Sequence, residues 1–203
     1  MMKILTALLF MLPFSLAASS GNFYSYSIHP DSRVAIQGTT NVNNFACVSE
    51  SDLPHGVFLA ETSETDNTIE FSDAVLKLQV ESFDCLNRRM NRDLQDAMGA
   101  PAHPEILIRL LEATPVENQA AAENNQLLVK MAISLNGVVK NTQVVIDYNQ
   151  IEPYLFSFVG SKELNMTDFN IDPPSPALGL IKVRDKITIQ FNLLVEAGLL
   201  TQN

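Results

Sequence analysis

The 203-residue chain has no tryptophan, only two cysteines and three histidines, and fewer basic than acidic residues. Without tryptophan, the aromatic part of any core rests on eleven phenylalanines and four tyrosines. The thirteen basic residues face 23 acidic ones, which gives a formal net charge of −10. A chain this acidic is repelled by phosphate backbones, which argues against a nucleic-acid partner. The same charge disfavours simple electrostatic docking onto anionic lipid surfaces.

Sequence motifs of familiar catalytic sites are also missing. No Gly-x-Ser-x-Gly elbow, phosphate-binding loop or His-Glu-x-x-His pattern occurs. Asp168 and Asp172 lie close together, but aspartate just ahead of a double proline is typical of a turn. His103 precedes a proline in an expected turn, where a structural or capping role is favoured over chemistry. The sequence therefore predicts a protein that is not an enzyme, with no catalytic residues and no required cofactor.

The first residues have the pattern of an export signal. Lys3 is followed by an apolar run that ends at the small residues Ser15 and Ala17, as a cleavage site requires. The alternative is a membrane anchor, but the run contains a proline and is shorter than the about 20 residues of a spanning helix. We expect a signal peptide over residues 1–17 and a single domain over residues 18–203. No second apolar run reaches spanning length, so an integral membrane protein is not expected.

Cys47 and Cys85 are the two cysteines of this chain. Two thiols in an oxidising compartment most often pair, so a disulfide is predicted. It would stabilise the fold by about 3 to 4 kcal/mol on the chain-entropy account. The alternative is two unpaired buried thiols. No Cys or His lies at ligand spacing from either cysteine, so no metal site is predicted.

Alternation of apolar and polar residues predicts β-strands along most of the chain. Asn136-Gly137 predicts a tight hairpin, because both central positions of a type I′ turn need positive φ. Within residues 68–83 the alternation slips by one residue, which indicates a bulge near Ser72-Asp73. Residues 53–67 are polar and fit a loop or a ragged edge strand. The other predicted strands span residues 32–38, 41–47, 105–113, 127–135, 138–147, 154–162 and 186–196.

One stretch changes to the period of a helix. From Leu86 to Met98, apolar residues recur at three- and four-residue spacing, and Gly99 ends the pattern. Asp84 lies where an N-cap is expected. The opposite side carries Arg88, Arg89 and Arg92. We interpret these arginines as a solvated helix face.

Eight or nine strands and one helix in a single domain leave two architectures open. Sequential antiparallel strands in this number either close into a barrel or stack as a sandwich. An eight-stranded barrel has an interior just wide enough for packed side chains or one small ligand. Periodicity alone does not decide between the two.

Three blocks of the sequence occur in the order of one known family. They are residues 85–104, the hairpin NGVVK at residues 136–140, and residues 166–183. With the stretch IQGTTNVNNFAC at residues 36–47, the chain resembles the Cys-containing, divergent branch of the YceI-like family. The resemblance implies an all-β fold, an antiparallel lipocalin-like barrel of about eight strands with one short amphipathic helix. It also implies a periplasmic location and an apolar tunnel, in which some members hold a polyisoprenoid or a quinone-like lipid. With such a tunnel, Arg88, Arg89 and Arg92 have an alternative role, contact with a lipid phosphate at its mouth.

A lipid tunnel needs inward-facing apolar side chains that leave its centre unfilled. The candidate lining residues are Phe71, Leu76, Leu78, Ile106, Ile108, Met131, Ile133, Phe156, Phe158, Ile189 and Phe191. Our first hypothesis is a carrier with an amphiphilic lipid, a long isoprenoid or similar molecule, as its partner. The second is a ligand-free, filled barrel that acts as a structural or stress-related interaction protein of the envelope. A homodimer is left open.

Overall fold

The computed structural model describes residues 21–49, 54–116 and 125–200. The predicted signal peptide and most of the polar connection before residue 125 lie outside these residues. The described residues contain twelve β-strands and one α-helix, α1 (Arg88–Ala97). The strands are β1 (Asn22–Ile28), β2 (Arg33–Thr40), β3 (Asn44–Ser49), β4 (His55–Thr62), β5 (Ile69–Ser72), β6 (Val75–Gln79), β7 (Phe83–Asp84), β8 (Glu105–Pro115), β9 (Gln126–Leu135), β10 (Val138–Glu152), β11 (Leu155–Asn165) and β12 (Val183–Leu199).

Eight strands form a closed antiparallel ring. Their order is β1-β4-β5-β8-β9-β10-β11-β12, and the ring closes where β1 pairs with β12, Tyr24 opposite Leu199. The remaining strands extend the sheet at one end. There β2, β3 and β7 continue from β12, while β6 pairs with β8. The predicted all-β, antiparallel barrel of about eight strands with one short helix is confirmed.

Two of the four strands outside the ring, β2 and β6, are explained by bends. Both β1 and β2 pair with β12, and both β5 and β6 pair with β8, so each pair behaves as one bent strand. Asp73 separates β5 from β6 and has a φ of 63°, in the left-handed region. The predicted bulge near Ser72-Asp73 is therefore a break between two strands, which accounts for the slip in alternation.

Two strands of the ring were not clear from the sequence. β4 lies within the stretch predicted as a loop or a ragged edge strand, yet it pairs on both sides, with β1 and β5. β1 precedes the first predicted strand. Aromatic rings connect the two: Phe58 stacks on Tyr24 with centroids 5.4 Å apart and tilts against Tyr26 at 5.9 Å. Such cross-strand aromatic pairs stabilise a sheet without any local alternation.

The helix begins later than the sequence predicted. Its N-cap is Asn87, whose side-chain oxygen accepts hydrogen bonds from two first-turn N–H groups at 2.9 and 3.3 Å. The prediction of Asp84 as N-cap was wrong, because its carboxylate accepts instead from the Leu86 N–H and from Asn91 Nδ2. Leu86, predicted on the apolar side of the helix, has a φ of 58° and is 92% exposed. Asp84 and Leu86 belong to the turn that leads from β7 into α1.

Cys47 on β3 and Cys85, just ahead of the helix, form a disulfide. Both cysteines are buried, and the bond spans 38 positions of sequence. The predicted disulfide is confirmed, and the alternative of two free thiols is wrong. Because Cys85 precedes α1 by only a few residues, the bond ties the start of the helix to the end of the barrel.

Candidate ligand-binding site

An apolar cavity, here called the barrel cavity, lies inside the ring of strands. Its volume is about 240 Å³, and all eight strands of the ring contribute side chains to it. Apart from Tyr26 and Lys162, its lining is apolar. The apolar lining residues are Ile28, Val34, Phe58, Phe71, Ala74, Val75, Leu76, Ile108, Leu110, Ala113, Leu127, Val129, Met131, Ile133, Ile146, Phe158, Ile189, Phe191, Leu193, Val195 and Ala197.

The structure brings most of the predicted tunnel residues to this cavity. The eight that line it are Phe71, Leu76, Ile108, Met131, Ile133, Phe158, Ile189 and Phe191. Leu78 and Ile106 lie outside it. They are register partners of each other, two residues along β6 and β8 from the Leu76–Ile108 pair, and are 1% and 2% exposed. Phe156 also lies outside the lining and stacks against Phe158, with ring centroids 6.3 Å apart. Eight of the eleven predicted residues therefore border the cavity, and alternation does not tell which members of an inward row touch the void.

One end of the barrel cavity carries aromatic residues that the sequence did not single out. Phe58 lies between Tyr26 and Phe71, with the Phe58 and Phe71 rings 5.8 Å apart. The Tyr26 hydroxyl donates to the Val75 carbonyl oxygen at 3.2 Å. Burial raises the pKa of Tyr26 above its ordinary value, so its hydroxyl stays protonated to higher pH. These positions were missed because β1 and β4 had no clear strand pattern.

Lys162 is the one charged residue in the cavity lining. It lies on β11 four positions after Phe158, on the same inward row. Its Nζ donates to the backbone carbonyl oxygen of Gln143 on β10, at 2.9 Å. A signal for this residue was present in the sequence, because the alternation through Phe156 and Phe158 continues to position 162.

A second cavity, here called the disulfide cavity, lies at the end of the barrel beside α1. Its volume is about 320 Å³, and the disulfide forms part of its lining. The apolar face of α1, including Met90 and Leu94, covers one side, and a proline-rich segment with Pro174 covers another. Arg89 also contributes to the lining, so one of the three predicted helix arginines lies at a cavity.

The two cavities share no lining residue, but only a thin layer separates them. On β2, Val34 lines the barrel cavity and Ile36, two residues later, lines the disulfide cavity. Two residues advance a strand by about 6.6 Å. Val34 and Ile36 are each 2% exposed, so the layer itself is tightly packed.

Among the polar residues considered above as catalytic candidates, Asp168 has contacts that indicate a structural role. Asp168 accepts a hydrogen bond from Asn165 Nδ2 at 3.2 Å and belongs to a 3-10 turn. Across residues 21–49, 54–116 and 125–200, no three His, Cys, Asp or Glu side chains are placed to hold a metal ion. In the same part of the chain, no helix is long and apolar enough to cross a membrane.

Solved structures share this architecture. BcnA of Burkholderia cenocepacia aligns with a TM-score of 0.58 and 15% identity, over 80% of this chain and 95% of that chain. A polyisoprenoid binding domain from Saccharophagus degradans aligns with a TM-score of 0.56 and 12% identity, over 86% and 98%. The YceI protein of Campylobacter jejuni aligns with a TM-score of 0.51 and 12% identity, over 99% and 100%.

These likenesses concern the fold. No family model matches the sequence, and no curated protein matches it significantly. At identities of 12 to 15%, the shared structure establishes architecture and not a common ligand. The chain has a YceI-like, lipocalin-like fold, and the resemblance predicted from its sequence blocks is confirmed at that level.

Proposed function

We propose that this protein is a non-enzymatic carrier that holds the apolar chain of an amphiphilic lipid in the barrel cavity. The observation that carries the proposal is the lining of that cavity, which is apolar except for Tyr26 and Lys162. Side chains that border a void lack contact partners on one side. A hydrocarbon chain that fills the void supplies those contacts and gains about 0.8 kcal/mol for each CH₂ removed from water.

The proposed lipid is an isoprenoid or a quinone-like molecule. One solved structure with this fold is named as a polyisoprenoid binding domain, which supports this class of ligand. Ligand pockets commonly measure about 300 to 1,000 Å³, and the barrel cavity is smaller, at about 240 Å³. A long isoprenoid would therefore also need the disulfide cavity. In that case the Val34 and Ile36 side chains move aside when the ligand binds.

We further propose that the carrier works outside the cytoplasm, in the periplasm. The disulfide between Cys47 and Cys85 supports this location, since such bonds persist in oxidising compartments. The expected signal peptide over residues 1–17 is consistent with the same route.

A second candidate function is a ligand-free structural or stress-related interaction protein of the envelope. The observation in its favour is the packed row beside the barrel cavity, where Leu78, Ile106 and Leu135 are at most 2% exposed. In that case the barrel cavity is a packing defect that no ligand fills. The two functions differ in how the protein responds to an added lipid.

Two variants, in each of which an alanine is replaced by leucine, test the carrier function. Ala113 lines the barrel cavity and is 3% exposed, so Ala113→Leu would place extra side chain inside the void. Ala132 on the neighbouring strand β9 is half-buried and lies outside the lining, so Ala132→Leu is the matched control. The measurement is a titration with a fluorescent long-chain isoprenoid analogue, alongside urea unfolding of each variant.

The carrier predicts that Ala113→Leu weakens binding by about tenfold or more, which corresponds to 1.4 kcal/mol. Stability should change little, because the new side chain enters empty space, and Ala132→Leu should bind like the parent protein. No binding by any of the three proteins, across probes of different chain length, would favour the filled barrel instead.

A further inference from the structure

We propose that Lys162 binds the head group of the amphiphile, and that this head group is anionic, a carboxylate or a phosphate. The inference rests on the proposed function, since the head group belongs to the lipid whose chain occupies the barrel cavity. It narrows the ligand to an isoprenoid or similar amphiphile with an anionic head group, which excludes a neutral quinone-like lipid, and it gives the place where the polar end lies.

Lys162 occupies an inward position along β11. Phe158, Gly160 and Lys162 follow one another on the inward row, so a cationic side chain stands where the pattern otherwise places apolar ones. A buried ammonium without polar partners is costly. A lysine at such a position lies with its methylene stem against apolar surface and its ammonium at a polar edge. That edge is the Gln143 carbonyl oxygen, 2.9 Å from Nζ.

Near Lys162, the hydrogen-bond ladder between β10 and β11 is interrupted, which leaves a gap in the ring. The ladder between β10 and β11 runs from the Glu152–Leu155 pair to the Asp147–Val159 pair and ends there. Beyond Val159, the described residues of β11 pair with β12, while β10 before Asp147 pairs with β9. Lys162 bridges the gap with its side chain, where two neighbouring strands would otherwise exchange backbone hydrogen bonds.

A groove lies on the outer side of the gap. Lys162 lines both this groove and the barrel cavity, and within the described residues the two share no other lining residue. The groove holds Lys140 and Lys186 as well, against Glu163 and Asp168. Lys186 pairs with Glu163 at 3.0 Å, so the acidic charge of Glu163 is compensated. The groove is therefore basic on balance, although the whole chain has a net charge of −10.

Lys162, the gap and the basic groove together define one geometry for the bound ligand. The Lys162 ammonium carries three donors, and its bond to Gln143 uses one of them. An anionic oxygen accepts a charge-assisted hydrogen bond from such a group more strongly than a neutral hydroxyl does. A chain in the barrel cavity can therefore end at the gap, with its head group on Lys162 and its outer side toward the basic groove.

The test compares head groups on one chain length. The probes are a C16 fatty acid, a C16 alkyl phosphate and a C16 alcohol, each titrated by calorimetry into the parent protein, Lys162→Met and the control Lys77→Met. We expect the parent protein to bind at least one anionic probe about tenfold or more tightly than the alcohol. Lys162→Met should lose that preference and bind the anionic probes no more tightly than the alcohol. Lys77→Met removes an exposed lysine on β6, outside both the groove and the cavity lining, and should keep the preference.

The outcomes separate the two proposals. Equal affinity of the parent protein for all three probes would overturn the anionic head group and leave the carrier intact, as would a preference that survives in Lys162→Met. Binding of none of these probes or of the isoprenoid analogues would overturn the carrier itself. The tighter of the two anionic probes identifies carboxylate or phosphate as the head group. If Lys162→Met does not fold, Lys162→Gln takes its place, and the anionic preference of the parent protein must still weaken as salt is added.

Discussion

The ring of Phe191 on β12 lies over the backbone of Gly160 on the neighbouring strand. The two residues are register partners, and a methyl carbon at position 160 would lie 2.5 Å from Phe191 Cζ. It would also lie 2.9 Å from Ile146 Cγ2. The missing side chain at Gly160 makes room for a ring that lines the barrel cavity, so this pair helps to determine the shape of the void.

Gly160→Ala should therefore destabilise the protein. The added methyl group forces Phe191 or Ile146 to move, and overpacking of this kind costs about 1 to 3 kcal/mol. Urea unfolding measures the loss. Gly198→Ala on β12 is the control, because a methyl carbon there would meet its nearest neighbour, Tyr154 Cδ1, at an ordinary 3.9 Å. Equal stability of the two variants would contradict the close approach at Gly160.

The disulfide between the buried Cys47 and Cys85 should contribute substantially to stability. Cys47→Ser with Cys85→Ser removes a cross-link that spans 38 positions, and the expected loss is about 3 to 4 kcal/mol on the chain-entropy account. Urea unfolding of the parent protein with and without a reducing agent should show the same loss. The double variant should not respond to the reducing agent. A parent protein whose stability is the same in both conditions would contradict this role.

The N-cap residue Asn87 should contribute to the stability of α1. Its side chain caps two N–H groups of α1, and an Asn→Ala change at an N-cap costs about 1 kcal/mol. Asn87→Ala should show this loss in chemical unfolding, and Asn87→Ser should recover most of it because serine is also a good cap. If alanine and serine behave alike, the cap contributes nothing and the helix depends on its apolar face and the disulfide.

Much of the fold could be predicted because its signals are local. In the β9–β10 hairpin, Asn136 and Gly137 have φ values of 47° and 73°, as the predicted type I′ turn requires. The alternation of β9 and of β12 also corresponds to strands in the structure. β1 and β4 were not predicted clearly, because their pairing depends on Tyr24 and Phe58, which meet only after the chain has folded.

The candidate site was predicted only in part, for the same reason. Alternation identifies which side of a strand faces the interior, and Phe158 and Phe191, chosen on that basis, line the cavity. The void depends on how rows from eight strands meet, and periodicity contains no such information. Lys162 acquires its significance from the gap between β10 and β11, which is set by the register of both strands. Neither feature is visible in a single stretch of sequence.

Tyr26 should give the protein a measurable response to alkaline pH. Burial raises the pKa of its hydroxyl above the unfolded value of about 10. Its contribution to stability is therefore fully present below about pH 10 and is lost as the pH rises through the folded pKa. Absorbance titration of the four tyrosines should contain a late component that disappears in Tyr26→Phe. A lipid in the barrel cavity should delay that component further, and a titration of Tyr26→Phe identical to that of the parent protein would contradict the assignment.

The central claim is that the barrel cavity holds a lipid, and native mass spectrometry tests it most directly. The protein is purified from a host that exports it and sprayed intact, and any bound molecule is then extracted into solvent and identified. The account predicts one extra mass per chain that extracts as an amphiphilic lipid, or that appears when isoprenoids are added. It also predicts that Ala113→Leu lowers the fraction of protein that carries this extra mass, while Ala132→Leu leaves that fraction unchanged. A bare protein in every preparation, with every added lipid, would contradict the carrier and favour the filled barrel.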